Sequence, residues 1–197
     1  MRHGMPPILK LQSLGMEPSL SVDVECTLTA DFFTQLRSCM NLQRALLNQM
    51  ILDQGYPPDP VDWGLPPEGA ANVWPTPPAG TIAPLTTRDV LRFGTINDAK
   101  ALRLESKVGS LTPGKEADII ILDATRINVT PRNQVPGAVV SLMDRTNVET
   151  VIVAGKVRKW KGQLLDVDLP HLGRHLKASR DYVFARAGIP QDLFRSN

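Results

Sequence analysis

The sequence predicts a mixed α/β chain, and three observations carry this expectation. Apolar residues fall at helical spacing from Ile8 to Leu14 and again from Phe32 to Met50. Between Val108 and Asp123, two apolar runs flank a compact turn, which predicts two strands joined tightly. The 197 residues suffice for one ordinary core with an appendage, but they fall short of the roughly 250 residues of a complete (β/α)₈ barrel.

Composition excludes several classes of protein. The formal net charge is +2, so neither nucleic acid nor an anionic membrane is indicated as a partner. No apolar run approaches the roughly 20 residues that span a bilayer, and the opening residues lack the apolar stretch of a signal peptide. The 2 cysteines are too few for a disulfide framework, which favours a reduced, cytoplasmic setting.

The N-terminal elements are a short helix, a strand and a long helix. The helix begins after Pro6-Pro7 and ends at Gly15. Pro18 to Val24 follows as a short strand, and Asp23 lies near its end. From residue chemistry alone, Asp23 is either a turn or capping residue or a functional carboxylate at a strand end. The long helix after Asp31 is amphipathic, and its aromatic and methionine residues are predicted core.

A proline-rich stretch separates these elements from the rest of the chain. From Asp53 to Pro84, prolines and glycines interrupt every period, which predicts an extended loop anchored by Trp63 and Trp74. A docking segment for a proline-recognising domain is the alternative, although no clean recognition motif is present.

The central region predicts a helix and a hairpin. Thr86 is a plausible cap for a helix that continues to about Leu104. Pro113 and Gly114 suit the two central positions of a type II turn. The unbroken apolar run Ile119–Leu122 predicts a strand buried on both faces.

Three elements are predicted in the C-terminal region. A short helix is expected over Ala138–Met143 and a second helix over Leu169–Ala187. Between them, a strand pair is expected over Asn147–Val157, with its turn at Ala154-Gly155. The basic run Lys156–Lys161 could bind nucleic acid, but a charged edge strand that resists aggregation is the simpler interpretation. His171 and His175 stand one helical turn apart, as metal ligands can, but no third ligand accompanies them. An exposed helix face is therefore favoured for this pair.

The stretch Val108-Gly-Ser-Leu-Thr-Pro-Gly-Lys-Glu-Ala-Asp118 resembles a signature near the end of proteins of the amidohydrolase superfamily, the metal-dependent hydrolases and deaminases. Neighbouring patterns agree in order: Thr95-Ile96-Asn97 precedes it, and Val148–Val157 looks like the closing strand pair of the family. The run Gly15-x2-Pro18-Ser-Leu-Ser-x-Asp23 is typical of the branch related to cytosine and guanine deaminases. A generic hairpin in an unrelated β-rich domain is the alternative.

The resemblance implies a C-terminal portion of such a protein. Its fold would be the last one or two β/α units of a (β/α)₈ TIM barrel, followed by a small β-sandwich portion and a terminal helix. The implied segments are a barrel fragment (1–52), a proline-rich loop (53–85), a flanking helix (86–107), a composite β-sandwich portion (108–165) and a helix with a tail (166–197).

The resemblance also implies the chemistry. Asp23 takes the place of the family's aspartate that binds a divalent metal, zinc or iron, and moves protons to and from the attacking water. The family's His-x-His pair is missing, because the chain contains only His3, His171 and His175. His3 looks like a residue of a loop that lines the substrate pocket in complete relatives.

The expected function is therefore that of an amidohydrolase acting, when complete, on non-peptide C–N bonds of a cyclic amide, an amidine or an aminated ring. This chain lacks most metal ligands, so it is expected to be inactive alone, as a truncated product or an incomplete gene model. Unpaired strand edges predict self-association, and a homo-oligomer is one outcome. The alternative is a non-catalytic assembly or regulatory subunit.

Overall fold

The computed structural model describes residues 5–23, 29–53 and 82–192. The predicted proline-rich loop therefore lies almost wholly outside the described residues. The helices are α1 (Ile8–Ser13), α2 (Phe32–Asp53), α3 (Thr87–Arg92), α4 (Asp98–Ala101), α5 (Val135–Ser141) and α6 (Leu169–Ala187). The strands are β1 (Ile119–Leu122), β2 (Val148–Val153), β3 (Lys156–Trp160) and β4 (Gln163–Leu164). The mixed α/β prediction is confirmed.

Helix α2 contributes buried residues to both hydrophobic clusters of the molecule, as its apolar spacing predicts. Its buried Leu36 and Met40 pack in one cluster with Ile8 of α1, Val90 of α3 and Val140 of α5. A second cluster joins α2 to the sheet side of the molecule through Phe33, Val129, Ala138 and Met143. Phe33 and Met40 are therefore core residues, as predicted, whereas Met50, which was also predicted to be core, is 42% exposed near the end of α2.

The helix predicted after Thr86 is present, and its interior is not regular. The Thr86 side chain accepts a hydrogen bond from the N–H of Asp89, and the Asp89 carboxylate accepts one from the N–H of Thr86. This capping box satisfies two helix-terminal donors. A π-helical turn over Phe93–Asn97 joins α3 to α4, so the run ends at Ala101 instead of Leu104. Such wide turns are rare and occur often at functional sites.

Only half of the predicted central hairpin is formed. The N–H of Lys115 donates to Thr112 O over 3.2 Å, and Gly114 has φ +93°, so the predicted turn is correct. Residues 108–111 before this turn are not a strand. The Lys115 ammonium instead donates to the carbonyls of Glu105 and Val108 and closes the loop on itself. Strand β1 takes its ladder partner from β2, further along the chain.

The four strands form one antiparallel sheet in the order β1-β2-β3-β4. Ala154 and Gly155 both have positive φ, as a type I′ hairpin turn requires, which confirms the predicted turn. Lys161 and Gly162 repeat this pattern and start β4, which was not predicted. Because β4 pairs with the end of β3, the basic run does not form an edge strand along its whole length. The described strands thus form a single sheet, and the composite β-sandwich portion expected over residues 108–165 stays a prediction.

Strand β1 corrects another expectation. Ile120 is 54% exposed and Ile121 is 46% exposed, although their apolar run predicts burial on both faces. An apolar strand is buried only where another layer covers it, and the described residues supply no layer over these two side chains. This end of the sheet therefore presents apolar surface.

Helix α6 is a terminal element with no buried residue. The Asp168 side chain caps its start by accepting a hydrogen bond from the N–H of His171, and Gly188 ends it in the left-handed conformation. The predicted helix bounds are confirmed. Within the described residues, neither α6 nor any other helix has the length and apolar character needed to cross a bilayer.

Candidate active site

Asp23 lies at the end of an extended segment and not in a strand. Residues 16–23 have no regular secondary structure, so the strand predicted over Pro18–Val24 is not formed in its described part. The reason is physical: a strand needs a ladder partner, and none of the described strands pairs with this segment. Asp23 has φ +59° and its N–H donates to Ser21 Oγ over 3.0 Å. Its exposed carboxylate forms no hydrogen bond or ion pair with the described residues.

The segment is held by side chains of the helical run over residues 87–101. The N–H of Leu20 donates to Asp98 Oδ1 over 2.9 Å. Burial raises the pKa of Asp98, and the hydrogen bond from Leu20 lowers it and offsets part of that rise. A carboxylate that accepts a backbone N–H at a partly buried position fixes that amide in one place.

Two further side chains of the same run hold the segment at its beginning. Arg92 Nη2 donates to Glu17 Oε2 over 2.8 Å, an exposed ion pair. Asn97 Nδ2 donates to the same oxygen over 3.2 Å and to Pro18 O over 3.3 Å. Asn97 is only 5% exposed, and its Oδ1 has no hydrogen-bond partner among the described residues. The segment before Asp23 is thus held through the Glu17 side chain, the Pro18 carbonyl and the Leu20 N–H.

Gly109, in the loop between α4 and β1, packs against the same helical run. A Cβ at Gly109 would lie 2.6 Å from Ala99 Cβ and 3.2 Å from Thr95 O. Its φ of +85° also suits glycine. The glycine of the Val108-Gly109-Ser110 sequence is therefore required by contact as well as by conformation, and the sequence analysis indicated neither requirement.

An open groove of about 550 Å³ lies between the end of this helical run and β1. Its apolar lining is Leu102, Leu104, Val108, Leu111, Ile119 and Ile120. Asp98 also contributes to the lining, so the groove adjoins the residue that holds the segment before Asp23. The polar part of its lining is Thr95, Ser110 and the carboxylates of Asp98 and Asp118, and neither histidine nor cysteine is among the described residues that line it.

The histidines do not complete a metal centre in the described part of the chain. His171 and His175 have ring centroids 4.3 Å apart on the exposed face of α6. Across residues 5–23, 29–53 and 82–192, no group of three potential ligands could hold a metal ion. The described residues therefore do not fit the metal that the resemblance implies. His3 lies outside the described residues, and its predicted place in a substrate pocket stays a prediction.

Comparison with known proteins adds family evidence to this geometry. The amidohydrolase family model matches residues 81–158. A 5-methylthioadenosine/S-adenosylhomocysteine deaminase from Moorella thermoacetica is 35% identical over 88 residues, which cover 45% of this chain and 20% of that protein. A 5'-deoxyadenosine deaminase from Methanosarcina acetivorans is 34% identical over 108 residues, covering 55% of this chain and 24% of that protein. The chain thus spans about a fifth to a quarter of these relatives.

The fold has a counterpart among solved structures. An adenosine deaminase from Xanthomonas campestris, crystallised with bound zinc, superposes on 92% of this chain and 34% of its own length, with a TM-score of 0.71 and 22% identity. At that identity the likeness concerns the fold. It covers helices and sheet alike, whereas the family model covers the central region. The resemblance found in the sequence is confirmed over residues 81–158, which match the amidohydrolase family model.

Proposed function

We propose that this chain is part of a metal-dependent amidohydrolase and contributes Asp23 to its active site. The observation that carries the proposal is the amidohydrolase match over residues 81–158, the region that holds the segment before Asp23. The side chains of Arg92, Asn97 and Asp98 all lie within that matched region. The family match and the local geometry therefore bear on the same carboxylate.

The role proposed for Asp23 is that of a metal ligand and proton carrier. A carboxylate oxygen can accept a proton from a water molecule and return it to a leaving group. Zinc in hydrolytic sites takes three protein ligands, usually with histidine among them. Since the described residues offer no such group, the remaining ligands would have to come from elsewhere, and the isolated chain is expected to be inactive.

The proposed substrate is a small molecule with an aminated ring. Two of the relatives are named for deaminating adenosine derivatives, in which an exocyclic amine is attached to a purine. Hydrolysis of such an amine breaks a non-peptide C–N bond, the bond class expected from the sequence. The wider alternatives of a cyclic amide or an amidine remain within the same proposal.

Metal analysis of the purified 197-residue chain tests the first part of the proposal. We expect neither zinc nor iron at stoichiometric level, and we expect Asp23→Asn to change neither metal content nor deaminase activity. Tight binding of one metal per chain that Asp23→Asn leaves intact would contradict the assignment of Asp23 as a ligand.

The mass of the endogenous product tests the second part. An antibody to residues 108–123 would detect the protein in its source cells, and intact mass would be measured. If the product is much heavier than this chain, Asp23→Asn in that product should abolish turnover of aminated rings. Retained turnover would refute the proposed role of Asp23.

A non-catalytic assembly or regulatory subunit is the second candidate. Two observations favour it: the described residues hold no metal-binding group, and β1 exposes Ile120 and Ile121 at the edge of the sheet. An endogenous product with the mass of this chain, found in a stable oligomer or complex, would place this candidate first. Homo-oligomer formation and a cytoplasmic location stay predictions under either candidate.

A further inference from the structure

The segment before Asp23 depends on the helical run over residues 87–101 for its position. Chain segments of this kind normally gain order from a ladder of backbone hydrogen bonds in a sheet. Here the described strands supply none, and the hydrogen bonds come from three side chains of one helical run. Losing them would leave the backbone that carries Asp23 without these fixed points.

Of the three side chains of the helical run that hold the segment, Asp98 contacts the residue that is nearest to Asp23 in sequence, Leu20. Its Oδ1 accepts the N–H of Leu20 over 2.9 Å, which fixes a point three residues before Asp23. Three residues span at most about 10 Å of extended chain, so freedom at Leu20 becomes freedom at Asp23. The hydrogen bond from the N–H of Asp23 to Ser21 Oγ restricts the backbone between Leu20 and Asp23.

Asn97 has features that a purely structural residue would not need. It is nearly completely buried, yet its Oδ1 has no partner among the described residues. A buried carbonyl without a donor is unfavourable, and an apolar side chain of similar size would avoid it. What the amide provides is Nδ2, which reaches Glu17 Oε2 and Pro18 O together. Asn97 also closes the π-helical turn, the least regular part of the run.

We infer that Asn97 and Asp98 are positioning residues: they hold the segment 17–20 through the Glu17 side chain, the Pro18 carbonyl and the Leu20 N–H, and thereby set the direction of the Asp23 carboxylate. This inference rests on the proposed function of Asp23. It assigns to the helical run a task that its own packing does not require.

Amide hydrogen exchange in the full 197-residue chain, followed by NMR, tests the inference without catalysis. In Asp98→Ala, we expect exchange at Leu20 and Asp23 to accelerate by about tenfold or more, because a hydrogen bond to a carboxylate is lost. Asp98→Asn retains an acceptor oxygen and should restore most of the protection. Asn97→Ala, which removes the donor to Glu17 and Pro18, should accelerate exchange at the same two amides.

Asp118 offers a matched control, because its Oδ1 accepts the N–H of Ala154 over 2.7 Å in a similar arrangement. Asp118→Ala should accelerate exchange at Ala154 alone. Unchanged exchange at Leu20 in Asp98→Ala, or faster exchange at Leu20 that does not extend to Asp23, would overturn the inference. So would acceleration spread evenly over α2, since that would report general destabilisation.

The two proposals fail separately. Turnover retained after Asp23→Asn in a heavier product would refute the role of Asp23, while the exchange results would still report whether the segment is held. Conversely, unchanged exchange would remove the positioning role of Asn97 and Asp98 and leave Asp23→Asn as an independent test of function.

Discussion

Of the two glycines in the loop between α4 and β1, Gly109 should lose more unfolding free energy than Gly114 when it is replaced by alanine. Two costs can be worked out from the structure. A φ of +85° is unfavourable for an alanine by about 1–2 kcal/mol. The added Cβ would stand 2.6 Å from Ala99 Cβ, well inside the usual contact distance, and relieving such overlap in a packed region costs about 1–3 kcal/mol. The sum is a loss of about 2–5 kcal/mol of unfolding free energy.

Gly114 provides the matched comparison in the same loop. Its φ is +93°, but a Cβ there would meet nothing within 4 Å. Gly114→Ala should therefore cost only the conformational share, about 1–2 kcal/mol. Urea unfolding followed by circular dichroism would give both values, and equal losses for the two variants would refute the contact with Ala99 as the cause.

A double-mutant cycle sharpens this test. Ala99→Gly removes the methyl group that Gly109→Ala would strike, so the double variant should lose less than the sum of the single variants. Residues in direct contact show coupling of about 0.5–3 kcal/mol, and the coupling here should be favourable to the double variant. Additive losses would place the clash elsewhere, on the backbone of Ile96 or Thr95, which also lie near this position.

The remaining predictions concern one partly buried cation, Arg37, and one acid-sensitive helix, α6. Arg37 donates hydrogen bonds to the carbonyls of Val140 and Met143 at the end of α5. Arg37→Met should therefore lower the unfolding free energy, measured with urea, by about 1–3 kcal/mol. A loss below about 0.5 kcal/mol would contradict this prediction. Hydrogen bonds from Lys177 and then the Arg180 side chain lower the pKa of Asp181 to about 2. The stabilisation of α6 by this carboxylate is therefore present above pH 4 and lost as pH falls towards 2. Asp181→Asn should remove that pH dependence from helicity measured by circular dichroism.

Elements set by local chemistry could be predicted from the sequence. The cap at Thr86, the turn at Gly114 and the hairpin turn at Ala154-Gly155 depend on residues within four positions of one another. Each residue type there has one dominant physical role, such as a hydroxyl that accepts a terminal N–H or a glycine that permits positive φ. The long helix α2 followed from apolar spacing for the same reason.

Elements set by distant partners could not be predicted. An apolar run such as Ile119–Leu122 predicts burial, but the covering layer is not a property of the run, and Ile120 remains half exposed. The residue pattern predicts a strand over Pro18–Val24, yet none of the described strands pairs with its described part. The π-helical turn and the close approach of Gly109 to Ala99 likewise depend on packing.

The candidate site shows the same division. The carboxylate of Asp23 could be proposed from its motif, because a family resemblance transfers residue identity along a sequence. The residues that hold its segment could not be predicted, because they are distant in sequence. Asp98 lies 78 positions away from Leu20, and Asn97 lies 80 positions away from Glu17. A pairing over that distance leaves no periodicity in a single sequence, and an aspartate or asparagine in a helix is ordinarily a solvent-exposed residue. Only the buried, half-satisfied state of Asn97 distinguishes it, and that state is a property of the fold. The candidate residue Asp23 could thus be proposed from the sequence, whereas the residues that hold its segment could be identified only from the structure.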